Sequence, residues 1–278
     1  MSGTDSGGTL TGPELADLAV LAEAAAREAG DLLVHGRPQR LEVDTKTSAT
    51  DAVTEMDRRS ERLLVERLLG PRPDDGLLGE EGGERPGSSG VRWVVDPLDG
   101  TVNYLYGLPM WSVAVCAEVD GVAAVGVVHA PALEETYVAV RGSGAVRIDA
   151  TGRHALAVSD QDRLDLALVA TGFGYTVARR TAQARVVAAL LPRLRDIRRG
   201  GAASVDLCWL ASGRVDAYFE RGLQPWDLAA AGLVAAEAGA RVEGLHGRPA
   251  GEDLVVAAGP RLFPALHDPL ADLHADRD

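Results

Sequence analysis

The stretch Val91–Tyr106, VRWVVDPLDGTVNYLY, decides how the rest of the chain is read. Its first five residues are β-branched, aromatic or basic and predict a strand, which stops abruptly at Asp96-Pro97-Leu98-Asp99-Gly100-Thr101. A buried strand thus delivers two acids to one edge. Carboxylates three residues apart in a tight turn repel each other unless water or a cation lies between them. Gly100 permits close backbone approach, and Thr101 offers an amide and a hydroxyl where a helix would start, the makings of a phosphate cradle. Asp-Pro and Asp-Gly are also ordinary turn dipeptides, so these residues alone leave a plain strand-to-loop turn open.

Working outward, the whole chain sets limits. Its 278 residues can bury a large core in one domain or two. A net charge of −13, with no compensating basic stripe, argues against nucleic acid as the main partner. It would also repel an anionic substrate, so a phosphate would need bound cations to reverse the field locally. Cys116 and Cys208 lie far apart in apolar runs, which points to buried thiols in a reducing compartment. The polar, glycine-rich start lacks a signal pattern and no apolar run reaches spanning length, so the expectation is a cytoplasmic protein with no membrane partner.

Upstream, Pro13–His35 carries apolar residues at helical spacing. A short strand at Leu41–Val43 and a polar loop at Asp44–Ser48 are expected next, then a helix over Asp51–Leu69. On that helix Val53, Asp57, Ser60, Leu64 and Leu68 form one stripe, which sets Asp57 among core leucines. An acid there needs a cation, a hydroxyl partner or the exposed first turn. Gly79-Glu80-Glu81-Gly82-Gly83 reads by itself as a solvated acidic turn.

Downstream, Trp111–Glu118, Val122–His129, Thr136–Arg141 and Ala145–Ile148 predict an antiparallel meander. From about Leu166, short strands (Leu166–Ala170, Val215–Glu220, Leu254–Ala257) alternate with helices over Ala178–Leu194, Ala202–Ser212, Asp227–Ala238 and Arg261–His274. A boundary is placed near residues 150–160, giving an N-terminal α+β half over 1–155 and a C-terminal α/β half over 156–278. Gly200-Gly201 lets the backbone lie close to a ligand, and Asp227 after Pro225-Trp226 is expected as a helix N-cap. The six histidines show no i, i+4 pair, which disfavours zinc. Gly172-Phe173-Gly174-Tyr175 lacks the third glycine of a dinucleotide fingerprint.

In order, Lys46–Asp57 (KTSATDAVTEMD), Gly79-Glu80-Glu81, Trp93–Asn103 (WVVDPLDGTVN) and Trp226–Ala230 (WDLAA) resemble the inositol monophosphatase family of magnesium-dependent, lithium-sensitive phosphatases. The likeness runs from about residue 15 to about 260, and Gly172–Glu220 looks like bacterial, actinobacterial-type members. It implies a layered α-β-α-β-α sandwich of the sugar-phosphatase type, with an antiparallel sheet in the N-terminal half and a mixed sheet in the C-terminal half. It implies two to three Mg²⁺ ions: Glu80, Asp96 and the Leu98 carbonyl at one, Asp96, Asp99 and Asp227 at a second, and Glu80 with water at a weaker third. Asp57 and Thr101, with Glu80, match the catalytic set that orients a nucleophilic water. Asp99, Gly100, Thr101, Gly201, Ala203, Glu220 and Asp227 match substrate-binding positions, while Ala202 stands where many relatives carry a hydroxyl.

The resemblance therefore implies hydrolysis of a small phosphorylated polyol, inositol 1-phosphate first, by a homodimer. All-oxygen ligands suit Mg²⁺ independently. Fructose bisphosphate, histidinol phosphate and a nucleotide 3′-phosphate remain alternatives, since relatives share the metal site. A bisphosphate would need a second anion site, for which Arg179, Arg180, Arg198, Arg199 and Arg221 are candidates. A regulatory protein-binding role is the alternative of a different class.

Overall fold

A computed structural model describes residues 10–37, 43–45 and 52–277. The Lys46–Asp51 part of the first motif, and Leu41 of the expected strand, lie outside these. In chain order the elements are α1 (Gly12–His35), β1 (Val43–Thr45), β2 (Ala52–Thr54), α2 (Glu55–Leu69), β3 (Gly76–Gly79), β4 (Gly83–Arg85), β5 (Val91–Asp99), α3 (Thr101–Tyr106), β6 (Ser112–Val119), β7 (Val122–Ala130), β8 (Glu135–Val140), β9 (Ala145–Asp149) and β10 (Gly152–Ala155). There follow β11 (Leu168–Thr171), α4 (Val177–Leu190), β12 (Asp196–Arg198), α5 (Ala203–Ala211), β13 (Ala217–Glu220), α6 (Pro225–Glu237), β14 (Arg241–Glu243), β15 (Val255–Ala258) and α7 (Phe263–Asp272).

Two large sheets carry the architecture. One has eight strands in the order β10-β9-β8-β7-β6-β5-β3-β4, and the other five in the order β12-β11-β13-β15-β14. The first is antiparallel except where β3 runs parallel to β5; the second is mixed.

Period-two alternation shows how the layers stack. On β5 and β6, Trp93, Val95, Val113 and Val115 face a core with Leu18, Leu33, Leu64 and Leu68 of α1 and α2. Their neighbours Val94, Ala114 and Cys116 face the other way, into a core shared with α5, α6 and the second sheet. On β13 and β15, Tyr218, Val255 and Ala257 join that same middle core, while Phe219, Val256 and Ala258 turn outward to α4 and α7. The layers are therefore helix, sheet, helix, sheet, helix. Sheets covered on both faces have no reason to alternate apolar with polar, which explains the continuous apolar run Trp93–Val95.

The middle helices follow the same logic. α5 is buried nearly all round because it lies between two sheets. Cys116 and Cys208 are free and buried on facing layers, β6 and α5. Among the described residues no helix is long and apolar enough to cross a membrane.

Three local expectations need correction. The helix expected from Asp51 starts at Glu55, because Ala52–Thr54 pairs with Val43–Thr45 and Thr54 becomes its N-cap. The strand expected to stop before Asp96 continues to Asp99. Asp227 is not the N-cap of α6 but its third residue, after Pro225 and Trp226, and Gln224 is the cap. Strands β3, β4, β10, β12 and β14, short or interrupted by Gly and Arg, had no periodic signal.

Candidate active site

The site is built first on β5. Its pairing with β6 is regular from Val91↔Val119 to Asp96↔Ala114, then shifts so that Asp99 faces Ser112. One extra residue is accommodated there, at Pro97, which has no N–H to give the ladder. The bulge turns the chain out of the sheet while the strand remains anchored. Ser60 of α2 donates to the Pro97 carbonyl at 2.8 Å, and the Leu98 amide donates to Asp96 Oδ1 at 2.9 Å. The Leu98 side chain is sealed in the outer core.

Glu80 arrives through the parallel pair. Gly79 of β3 registers with Val95 of β5, so Glu80, where β3 ends, emerges beside Asp96, which continues in β5. No local pattern in the sequence signals this strand pairing, although the family resemblance places Glu80 with Asp96. Pairing between segments 16 residues apart is a tertiary choice.

Gly100 has φ +86° and begins α3 with Thr101. The Thr101 hydroxyl lies 3.0 Å from both Asp57 Oδ1 and the Leu98 carbonyl, and its single proton can serve one of them at a time. Asp57 is 1% exposed yet sits in the first turn of α2, where its other oxygen accepts from the Thr54 amide at 2.8 Å. Of the explanations for this acid on a leucine stripe, the hydroxyl partner holds, through Thr54 and Thr101, whereas the first turn in which it sits is buried. Burial raises its pKa, against the lowering effect of the Thr54 and Thr101 bonds.

The C-terminal half supplies the opposite wall. Asp99 Oδ2 accepts from the Ser204 amide at 2.8 Å and from the Ser204 hydroxyl, which in turn lies 2.6 Å from the Ser112 hydroxyl. Asp227 accepts from the Gln224 amide at 2.7 Å. Glu220, at the end of β13, accepts from the Tyr218 hydroxyl at 2.6 Å. Gly172 lies close beside it, so that a Cβ there would lie 2.0 Å from a Glu220 oxygen and displace the carboxylate.

These groups line one cleft of about 460 Å³ that includes Glu80, Asp96, Leu98, Asp99, Gly100 and Thr101 on one side. Gly201, Ala203, Glu220 and Asp227 line the other. Asp57 stands behind Thr101 rather than on the surface of the cleft. Of the five arginines considered, Arg179, Arg199 and Arg221 line it. Arg198 pairs with Asp196 at 2.7 Å, and Arg180 donates to the Gly174 carbonyl. The reading of Gly172–Tyr175 as a weak dinucleotide motif missed that this segment forms cleft wall. Ser204, Ser112 and Asn103 were also missed, because serine and asparagine carry no motif until a partner is known.

Electrostatics separates this cleft from an ordinary one. Burial, then the charges of Glu80, Asp99 and Asp227, push the Asp96 carboxyl well above the usual range. Asp227 is raised by burial and by Asp99, Glu80 and Glu220. Asp99 is raised by burial despite the Ser204 bonds, and Glu220 is pushed up to about 7, chiefly by burial. Four acids from separate parts of the chain therefore feel one another in a poorly solvated space, the environment in which a divalent cation is stabilising. Every donor is a hard oxygen, which fits Mg²⁺ and not a soft metal. The carboxylates are held by backbone and hydroxyl donors. Among the described residues, no three His, Cys, Asp or Glu side chains are already drawn into a coordination cluster.

An acid-lined cleft between two sheets, with an oriented hydroxyl and a glycine turn, is chemically suited to holding a phosphate ester through divalent cations. The sequence profile of the inositol monophosphatase family matches residues 14–274. The inositol-1-monophosphatase SuhB of Mycobacterium tuberculosis is 48% identical over 221 residues, 78% of this chain and 76% of that protein. The Nus factor SuhB of Pasteurella multocida is 38% identical over 249 residues, 87% of this chain and 91% of that protein. The crystal structure of the extragenic suppressor protein SuhB from Bartonella henselae superposes with a TM-score of 0.84 at 34% identity, covering 91% of this chain and 98% of that one. The chain belongs to the inositol monophosphatase family, and its fold is that of the family.

Proposed function

We propose that this protein is a Mg²⁺-dependent phosphomonoester hydrolase acting on a small polyol phosphate, inositol 1-phosphate first. The observation that carries the reading is the set Glu80, Asp96, Asp99 and Asp227 repelling one another in one cleft. Glu80, Asp96 and the Leu98 carbonyl would hold one Mg²⁺, Asp96, Asp99 and Asp227 a second, and Glu80 with water a third. Bound there, Mg²⁺ would neutralise the phosphate, acidify water and stabilise the departing alkoxide.

The chain's own residues supply orientation. The Asp57–Thr101 pair holds a hydroxyl with a defined acceptor direction beside the acids, suited to orienting an attacking water. Gly100 and Thr101 bring backbone amides close to where a phosphate would lie. Gly201, Ala203 and Glu220, with Asp99 and Asp227, form the wall that would meet the hydroxyls of a polyol, and Glu220 can accept from one of them. No protein nucleophile is needed. The same reading takes the enzyme as a lithium-sensitive, cytoplasmic homodimer.

A turnover panel of inositol 1-phosphate, fructose 1,6-bisphosphate, histidinol phosphate and a nucleotide 3′-phosphate tests it, with and without EDTA. Fastest, EDTA-abolished release from inositol 1-phosphate is expected. Release that survives EDTA would remove the metal role, and preference for another substrate would replace the substrate.

The name Nus factor SuhB carried by relatives favours one second reading, an added regulatory role through binding another protein. Stable capture of a partner by a protein with no Mg²⁺-dependent phosphate release would make that role primary.

A further inference from the structure

Asn103 belongs to none of the roles above, yet it joins the two walls of the cleft. It lies on α3, two residues past Thr101, and is only 4% exposed. Its side-chain amide donates to the Met110 carbonyl at 2.6 Å and to the Gly200 carbonyl at 2.9 Å. Both N–H groups are thereby used, and turning the amide over would set its oxygen against two carbonyls. The orientation is fixed by chemistry.

What it holds is a backbone crossing with no spare room. A Cβ on Gly100 would lie 2.8 Å from the Met110 carbonyl, 3.1 Å from Ala202 Cβ and 3.3 Å from the Gly201 carbonyl. A Cβ on Gly201, whose φ is +91°, would meet the Asn103 amide nitrogen at 2.9 Å. The turn before Thr101 and the turn before Ala203 therefore lie back to back, with the Asn103 amide as the stitch. From the other side Asp206, 2% exposed on α5, presses on Gly200 itself. The Gly200 amide faces its carboxylate and acts to lower its pKa, while its Oδ1 would lie 2.4 Å from a Gly200 Cβ and has no hydrogen-bond partner among the described residues.

We infer that Asn103, backed by Asp206, is a positioning residue that fixes the distance between the Gly100–Thr101 turn and the Gly201–Ala203 turn, and thereby sets selectivity for the alcohol part of the substrate. The inference rests on the proposed function for what each turn binds. A substrate read only at its phosphate needs the first turn. A polyol phosphate needs both at a fixed separation, and an error of a fraction of an ångström falls on ring contacts.

The test compares inositol 1-phosphate with p-nitrophenyl phosphate, a phosphomonoester with no polyol. Asn103→Ala, or the isosteric Asn103→Asp where alanine folds poorly, should lower the ratio of the two kcat/KM values about tenfold or more, mainly through KM for inositol 1-phosphate. Asp206→Ala should move the ratio the same way, whereas Asp206→Asn, which keeps an acceptor for the Gly200 amide, should not. Equal losses on both substrates would overturn the inference and reduce Asn103 to a stability role. Amide hydrogen exchange of the substrate-free protein gives an independent reading: exchange over 199–204 should quicken in Asn103→Ala while α1 stays protected, and unchanged exchange there would refute the clamp. The native protein's own ratio tests the proposed substrate, so the two failures are distinguishable. A native enzyme that prefers the aryl phosphate sinks the substrate class, whatever the variants do.

Discussion

Replacing Asp227 by asparagine should make the metal-free protein more stable and the enzyme nearly inactive. In the folded chain Asp227 feels the charges of Asp99, Glu80 and Glu220 in a space where burial already raises its pKa. The bond it accepts from the Gln224 amide at 2.7 Å can be kept by an asparagine carbonyl. Asp227→Asn thus removes repulsion without orphaning a donor, and a gain of about 1–2 kcal/mol in EDTA at pH 8 is expected. For a chain of this size that is a rise of roughly 2–8 °C in Tm. With Mg²⁺ the native protein should recover and overtake the variant, because ligand binding to the folded state adds stability. Turnover at saturating substrate should fall on the order of 10²–10³-fold, about 3–4 kcal/mol of transition-state stabilisation. Calorimetry with and without Mg²⁺, beside kcat, reads all three effects. A variant less stable than the native protein in EDTA, or one with near-native kcat, would refute the argument that these acids are arranged for a cation.

Three further outcomes follow from the same geometry. Ser204→Ala removes a hydroxyl bond to the Asp99 carboxylate and strands the buried Ser112 hydroxyl, so urea unfolding should show a loss of roughly 2–4 kcal/mol, and a change under about 0.5 kcal/mol would contradict it. Burial, then the charges of Glu220 and Asp99, push Asp206 up to about 8. Its folded pKa exceeds the ordinary aspartate value, so the folded state holds the proton longer and stability falls as pH rises across about 4 to 8; Asp206→Asn should flatten the metal-free stability profile there by a few kcal/mol at most. Thr101→Val keeps the shape of the helix start but loses the bond to Asp57, so kcat should drop on the order of 10²-fold with little change in KM, and an unchanged kcat would exclude the orienting role.

The middle of each long element was legible in the sequence, and the edges were not. α1, the meander from β6 to β9 and the helices α4 to α7 were visible because apolar periodicity is a local property. Asp57 was half-read: its place among leucines was visible, but its Thr54 and Thr101 partners come from a cap and from the start of α3, 44 residues away. The Asp227 helix start was placed two residues late, since Pro225 opens the helix and Asp227 reaches back to Gln224. Strand β5 was cut short at Asp96, because a bulge at proline looks in sequence like an ending.

By itself the sequence determined which residue types were available: hard oxygen donors, a glycine turn, two buried thiols and a strong negative charge that an anionic substrate must overcome. It also fixed the periodicities that make the layers. Tertiary structure alone decided that Glu80 emerges beside Asp96, through parallel pairing of β3 and β5, and that Ser204 and Asn103 tie the two walls of the cleft together. Hydrogen bonds and charge repulsion act over a few ångströms of space, whereas sequence separation says only how far the chain can travel between two residues before it returns.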